Sequence, residues 1–228
     1  MDRSPTPQEI RSVARKAVEA FSRYNLDCCL FGSAGCALYG VSRTPNDVDL
    51  IVVTSSYTTE MLKQLLVSTA RATFYLRPAK TPGATYKVLF AKLSPGDFRY
   101  RSCKVDILVP GILNIPSVPS HHILRIDGLP VMPLIALLLL KLQGWEDHRT
   151  SSRWDMQQKQ YVDVRDINQL LQIAVGRGEN VRNATWLPQD FITTGQERLN
   201  RFLSVLRPAS SQSWKTIGFD TDPTYAIF

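Results

Sequence analysis

Two aspartates that alternate at the start of an apolar strand constrain this chain more than any other feature. Residues 47–53 read DVDLIVV, and this β-branched run is typical of a largely buried strand. Residues i and i+2 of a strand point to the same face, so Asp47 and Asp49 would present two carboxylates side by side. Unpaired anions in such a place lose hydration and repel each other, which costs several kcal/mol unless cations compensate. The pattern therefore predicts a bound cation.

Magnesium is the ion that best fits such a pair. It prefers oxygen ligands and typically takes one or two carboxylates together with phosphates and water. A third acid, Asp106, begins another apolar run in KVDILV. If the two strands are neighbours, three carboxylates converge, which is enough to hold two metal ions for in-line phosphoryl transfer. Asp47, Asp49 and Asp106 are therefore the predicted ligands for Mg²⁺ or Mn²⁺, and Asp106 is either a ligand or the base for the attacking hydroxyl.

A glycine-serine pair ends the preceding apolar run, in CLFGSAGCALYG, with thirteen residues between Ser33 and Asp47. Gly32 would let the backbone approach a phosphate closely, and the amides of Ser33 and Ala34 would point outward at the start of a short helix, where anions bind. The Ser33 hydroxyl could donate to the same phosphate. The alternative is an ordinary strand-to-helix turn with Ser33 as the N-cap.

The order of predicted elements indicates an α/β (α+β) fold. A mixed β-sheet with flanking helices is expected over residues 1–118, followed by a mainly helical C-terminal subdomain and tail over residues 119–228. The predicted strands include CCLF and DVDLIVV, and turn residues 94–97 would join ATYKVLFAKL and FRYRSCKVDILV into a hairpin. Residues 151–160 are predicted to be a loop. The predicted helices cover residues 7–24, 34–39, 58–70, 161–175 and 189–206, with a further apolar helix from Pro133.

The formal net charge of +7 is concentrated in the first half of the chain. Eight basic residues and a single acid lie between Arg71 and Lys104. This excess suits a polyanionic ligand, and the tyrosines and phenylalanines among these residues are typical of a nucleic-acid surface. The alternative is a solvated basic face. Lys104 shares a predicted strand face with Asp106, where it could contact phosphate or neutralise the acids.

Composition excludes several other classes of protein. The longest apolar run, residues 129–142, contains two prolines and falls short of the roughly 20 residues that cross a bilayer, so we expect a soluble, cytoplasmic protein with no membrane partner. The four cysteines have neither zinc-site spacing nor the density of a disulfide framework. They are expected to be buried, reduced thiols.

The motif GSAGCALYGVSRTPNDVDLIV, followed by KVDIL, resembles the DNA polymerase β-like nucleotidyltransferase superfamily. That signature is Gly-Ser, Asp-x-Asp and a third carboxylate on a later strand. The resemblance implies binding of a nucleoside triphosphate such as ATP with Mg²⁺, and transfer of a nucleoside monophosphate to a hydroxyl with release of pyrophosphate. It implies metal ligation by the three aspartates and phosphate contacts from Gly32 and Ser33.

The second half of the chain is similar to small nucleotidyltransferases of the abortive-infection toxin type. In these proteins a lysine-bearing apolar helix precedes an Asp-x-x-Asp helix, a pattern that Lys141, Asp163 and Asp166 match. Val162 stands where that family usually has a basic residue. From the residues alone, Lys141 is either a surface lysine or a nucleotide contact, and the two aspartates either belong to the site or form helix-surface pairs.

Two functions from different classes follow from these observations. The first is a metal-dependent nucleotidyltransferase acting on the hydroxyl of an RNA 3′ end, a small molecule or a protein. The second is a catalytically silent nucleotide- or RNA-binding module that has kept the fold. The presence of all three carboxylates favours the enzyme.

Overall fold

A computed structural model describes residues 4–80, 83–93, 101–206 and 211–221. The chain divides into two compact units. The first comprises residues 1–38 and 42–132, and the second comprises residues 39–41 and 133–228. The domain boundary predicted after residue 118 stays a prediction. The two compact units divide after Met132.

The described part of the first unit is built on a seven-stranded mixed sheet. The strand order is β3-β4-β5-β2-β1-β7-β6, with β2 parallel to β5, β1 parallel to β7 and the other pairs antiparallel. The strands are β1 (Cys28–Leu30), β2 (Asp47–Val52), β3 (Phe74–Pro78), β4 (Lys87–Lys92), β5 (Ser102–Leu108), β6 (Leu124–Ile126) and β7 (Leu129–Val131).

Among the described residues of this unit, three α-helices accompany the strands: α1 (Pro7–Ser22), α2 (Gly32–Tyr39) and α3 (Thr59–Thr69). Helix α1 starts at the capping box that Thr6 and Glu9 form, as its sequence predicts. Helices α1 and α3 contact several strands of the sheet. One set of alternate strand residues is fully buried, including Val48, Leu89 and Val105. Residues that precede or follow them therefore lie on the opposite face of the sheet.

The second unit is helical. Its long helix α4 is apolar around most of its circumference, because ten of its residues are buried, and such a helix belongs to a core. Trp145 and Phe202 meet edge to face, with ring centroids 5.0 Å apart. The helices are α4 (Leu134–Thr150), α5 (Trp154–Gln157), α6 (Gln160–Gly176), α7 (Gln189–Leu206) and α8 (Ser211–Thr216).

The predicted mixed sheet with flanking helices and a helical second half is confirmed. The predicted pairing of the two β-rich runs is confirmed as β4 and β5, while their turn at residues 94–97 lies outside the described residues. Strand β3 was not predicted. The predicted loop at 151–160 contains the short helix α5, and the expected tail is wrong for residues 211–216, where Trp214 anchors α8 in the core.

Candidate active site

Three carboxylates converge on one face of the sheet. Asp47 and Asp49 are two residues apart on β2, and Asp49 lies directly opposite Asp106 on the parallel strand β5. Side chains that are opposite each other on neighbouring strands share a face, so all three point to the same side. One oxygen from each carboxylate lies within 4.8 Å of the others. An all-oxygen donor set of this size fits the ligand preference of Mg²⁺.

The start of helix α2 packs against this group. Gly32 has φ of +55°, a left-handed conformation that favours glycine. A Cβ atom at this position would lie 2.1 Å from Asp49 Oδ2. The Ser33 side chain is buried, and its hydroxyl donates to Asp47 Oδ1 over 3.2 Å. The Gly-Ser turn therefore positions the aspartates directly.

Helix α2 begins two residues earlier than predicted. Ser33 is its second residue and not the residue before it, so the N-cap alternative is wrong. The predicted contacts of Gly32 and Ser33 with phosphate stay predictions.

Lys104 lies opposite Asp47 in the β2-β5 register and pairs with the third acid. Its Nζ donates to Asp106 Oδ2 over 2.5 Å. Burial alone would lower the pKa of Lys104. The hydrogen bond to Asp106 and the charges of Asp106, Asp47 and Asp49 together outweigh burial, so the pKa is raised. Of the two roles weighed for this lysine, the structure shows neutralisation of an acid, and its nucleotide contact stays a prediction.

Burial raises the pKa of the Cys103 thiol to about 12, helped by the negative charges of Asp47 and Asp49. Burial likewise raises the pKa of Cys28 to about 12 and that of Cys29 well above its usual range. All four cysteines are buried, and none of them forms a disulfide. The prediction of reduced structural thiols is therefore confirmed, and protonated thiols are poor nucleophiles and poor metal ligands.

The second unit holds a separate cluster of buried charges. Lys141 is only 8% exposed, and its Nζ lies 3.3 Å from Asp163 Oδ1 and 2.8 Å from Asp166 Oδ2. The other oxygen of Asp163 lies 2.5 Å from Nδ1 of His148. Lys141 is thus no surface lysine, and Asp163 and Asp166 are buried instead of forming helix-surface pairs.

Sequence reasoning missed His148 as a member of this cluster. A signal was present, because Lys141 and His148 are seven residues apart on α4 and residues two helical turns apart share a face. The predicted nucleotide contact of Lys141 stays a prediction.

No family model and no curated protein matches the sequence. Solved structures do match. An antigenic nucleotidyltransferase-like protein from Paracoccidioides brasiliensis superposes with a TM-score of 0.69 at 18% identity, covering 96% of this chain and 98% of that chain. JHP933 from Helicobacter pylori superposes with a TM-score of 0.53 at 13% identity, covering 92% of this chain and 79% of that chain.

The chain has a nucleotidyltransferase-like fold. At these identities the likeness concerns the fold, and the abortive-infection subtype remains a prediction. Among the described residues, no helix is both long and apolar enough to cross a bilayer.

Proposed function

We propose that this protein is a metal-dependent nucleotidyltransferase. It would transfer a nucleoside monophosphate from a nucleoside triphosphate, ATP among the candidates, to a hydroxyl of an acceptor. The observation that carries this proposal is the convergence of Asp47, Asp49 and Asp106 within 4.8 Å beside the start of α2. The nucleotidyltransferase-like fold supports it independently.

The reaction is a displacement at the α-phosphorus of the triphosphate. The acceptor oxygen forms a bond to that phosphorus, and the bond from phosphorus to the oxygen bridging the β-phosphate breaks. Pyrophosphate leaves with the electron pair of that bond. The proton of the acceptor hydroxyl passes to a carboxylate, for which we propose Asp106, or to water.

Each residue of the site has a proposed role. Asp47, Asp49 and Asp106 would hold Mg²⁺ or Mn²⁺. The ion would supply charge neutralisation of the phosphates and of the developing transition state. Ser33 holds the Asp47 carboxylate by its hydrogen bond. We propose that the amides of Ser33 and Ala34 face a phosphate, which the backbone at Gly32 allows to approach closely.

Lys104 forms an ion pair with Asp106 and lies opposite Asp47 in the strand register. We propose that it contacts a phosphate of the substrate while it stays close to Asp106. Lys141 in the second unit is the other proposed nucleotide contact, by resemblance to toxin-type nucleotidyltransferases. Its ion pairs with Asp163 and Asp166 support a role in neutralising these two buried carboxylates.

A transfer assay tests the proposal. The protein is incubated with labelled triphosphates, Mg²⁺ or Mn²⁺ and candidate acceptors: RNA with a free 3′ hydroxyl, small hydroxylated molecules and proteins. We expect transfer that the double substitution Asp47→Ala, Asp49→Ala abolishes. Asp155→Ala is the matched control, since Asp155 is exposed and, within the described part of the chain, forms its ion pair with the neighbouring Arg153.

Activity that survives the double substitution would contradict the proposal. A protein that binds nucleotide or RNA equally well with and without divalent metal, and transfers nothing, would be the silent binding module instead.

A further inference from the structure

The sheet face that carries the carboxylates continues onto strands β3 and β4. Asp47 lies opposite Lys104, Lys104 lies opposite Phe90, and Phe90 lies opposite Tyr75. Directly opposed residues share a face, so one row of side chains runs from the candidate metal ligands to the edge strand. Strands are about 4.8 Å apart, which puts Phe90 about 10 Å and Tyr75 about 14 Å from Asp47 across the sheet.

The two aromatic residues in this row are stacked. The rings of Tyr75 and Phe90 have centroids 6.0 Å apart and planes inclined by 23°. Arg77, two residues after Tyr75 and therefore on the same face, has its Cζ 4.9 Å from the Tyr75 centroid and 5.3 Å from the Phe90 centroid. Both rings are half-buried and Arg77 is exposed. We call Tyr75, Arg77 and Phe90 the stacking platform.

The charges around the platform suit a chain of phosphates. Arg77, Lys92 and Lys104 occupy the platform face at alternate strand positions, and all three are exposed. Residues 74–78 and 87–92 include no acid. Basic residues interleaved with stacked rings are what single-stranded nucleic-acid sites combine. A polycationic acceptor such as an aminoglycoside would be repelled by the same charges.

We propose that the stacking platform binds unpaired bases of a single-stranded RNA whose terminal hydroxyl is the acceptor. The acceptor role rests on the proposed nucleotidyl transfer, whereas the binding role does not. Bases must be unpaired to stack on aromatic rings or on a guanidinium plane. Single-stranded ends of this kind are the usual targets in RNA, while most DNA is duplex. The platform strands β4 and β3 lie one and two strands beyond Lys104, in the direction away from Asp47.

A purely structural role for the aromatic pair makes a different prediction. Opposed aromatic side chains stabilise a strand pair by about 0.2 to 1 kcal/mol. Leucine at both positions would keep most of the apolar area of the hairpin but would lose the flat surfaces on which a base stacks. RNA binding therefore separates the two roles.

Fluorescence anisotropy of the full chain with a labelled single-stranded RNA of about 12 nucleotides, a length within the range of one binding fold, tests the platform. No triphosphate is added. We expect the substitutions Tyr75→Leu and Phe90→Leu each to weaken binding about fivefold or more. Tyr161→Leu is the matched control, because Tyr161 is an exposed tyrosine on α6, and it should bind as the wild type does.

Circular dichroism and urea unfolding verify that each variant is folded. If Tyr75→Leu is unfolded, Phe90→Leu and Arg77→Gln carry the test. Equal binding by the platform variants and wild type, or equal affinity for a duplex of the same length, would overturn the inference. Either result would mean that the basic residues alone attract the backbone.

A second arm separates this inference from the proposed function. The variant Asp47→Ala, Asp49→Ala should transfer no nucleotide yet still bind the single strand with an affinity within about twofold of wild type. Transfer to DNA or to a small molecule but not to RNA would overturn the assignment of the acceptor while leaving the nucleotidyltransferase intact. Binding that holds while no acceptor is ever labelled would contradict the proposed function and leave the platform supported.

Discussion

Asp49 and Asp106 lie opposite each other on two parallel neighbouring strands. Asp47 is two residues before Asp49, so the third carboxylate joins the other two by register alone. Lys104, two residues before Asp106, lies opposite Asp47 and pairs with its own strand neighbour. Two copies of the same local pattern, each a polar residue at i and an aspartate at i+2, thus build the site when β2 and β5 pair.

Divalent metal should stabilise the folded protein through these carboxylates. A ligand that binds only the folded state adds about 2.7 kcal/mol to the free energy of unfolding at 100 times its dissociation constant. We expect Mn²⁺ to raise the Tm of the wild type in a thermal scan and chelator to reverse the shift. The variant Asp47→Asn, Asp49→Asn should show no shift, whereas Asp155→Asn should keep it. A shift of equal size in all three proteins would place metal binding elsewhere.

Gly32→Ala should inactivate the site without unfolding the sheet. The new Cβ would meet Asp49 Oδ2 at 2.1 Å, so the carboxylate must move. A misplacement of about 1 Å at a catalytic group can lower the rate about 100-fold. We expect a loss of this size in nucleotidyl transfer, together with loss of the Mn²⁺-dependent Tm shift.

Gly128→Ala is the control for that substitution. Gly128 also has positive φ, at +77°, but nothing lies within 4 Å of its hypothetical Cβ. Backbone strain should lower the stability of this variant by about 1 kcal/mol, and its nucleotidyl transfer should be unchanged. Similar activity losses in both variants would mean that strain, and not contact with Asp49, explains the effect.

Lys141→Met should be strongly destabilising. Methionine preserves the apolar stem but leaves Asp163 and Asp166 buried without their ammonium partner. Removing one member of a buried ion pair costs about 3 to 5 kcal/mol. Urea unfolding should report this loss, whereas Lys159→Met, at an exposed position just before α6, should change stability by less than about 0.5 kcal/mol. A small effect of Lys141→Met would mean that the cluster is not tightly coupled to folding.

Stability should fall in acid partly because of Glu9. Its hydrogen bond with Arg101, followed by that with the backbone of Thr6, holds the pKa of Glu9 below its usual range. A depressed folded-state pKa stabilises the protein above the unfolded-state pKa, and this contribution is lost as pH falls through the folded-state pKa. Glu9→Gln should therefore remove about 1 kcal/mol at pH 7 and flatten the loss of stability below about pH 4.5.

Chemical denaturation at several pH values measures this effect. Glu19→Gln, an exposed change on the same helix, should lose stability at acidic pH as steeply as the wild type does. If Glu9→Gln loses stability at acidic pH as steeply as the wild type, Glu9 does not contribute to the acid dependence.

Thiol labelling should distinguish the folded protein sharply from the unfolded one. Burial raises the pKa of Cys28 and Cys103 to about 12, so almost no thiolate is present at neutral pH. Iodoacetamide should modify none of the four cysteines in the native protein within the time that it modifies all four in urea. Mass spectrometry counts the adducts. Rapid native labelling would reveal an opening of the sheet that exposes Cys103.

The convergence of the acids could be predicted from sequence because its causes are local. Side-chain alternation is a property of every strand, so Asp47, Asp49 and Asp106 were assigned to strand faces before their pairing was known. Strand β3 escaped prediction because its sequence, FYLRP, is short and ends in proline. Proline is tolerated there because β3 is an edge strand, a position that only the sheet order reveals.

The buried cluster of the second unit could not be predicted for a different reason. Helix α4 is apolar on nearly all sides, so its periodicity does not say which direction Lys141 faces. Only the packing of α4 against α6 brings Asp163 and Asp166 to it. Short helices such as α8 depend in the same way on a tertiary contact, here the burial of Trp214.

The parallel pairing of β2 with β5 also decides when the three-carboxylate site of a newly made chain can form. Parallel pairing between distant segments forms slowly, because the intervening loop must close before any contact rewards it. An emerging polypeptide that ends before β5 carries the glycine-serine turn and two of the acids, yet has no opposing strand to complete the set. The site would therefore be complete only after β5 has been made and has paired with β2.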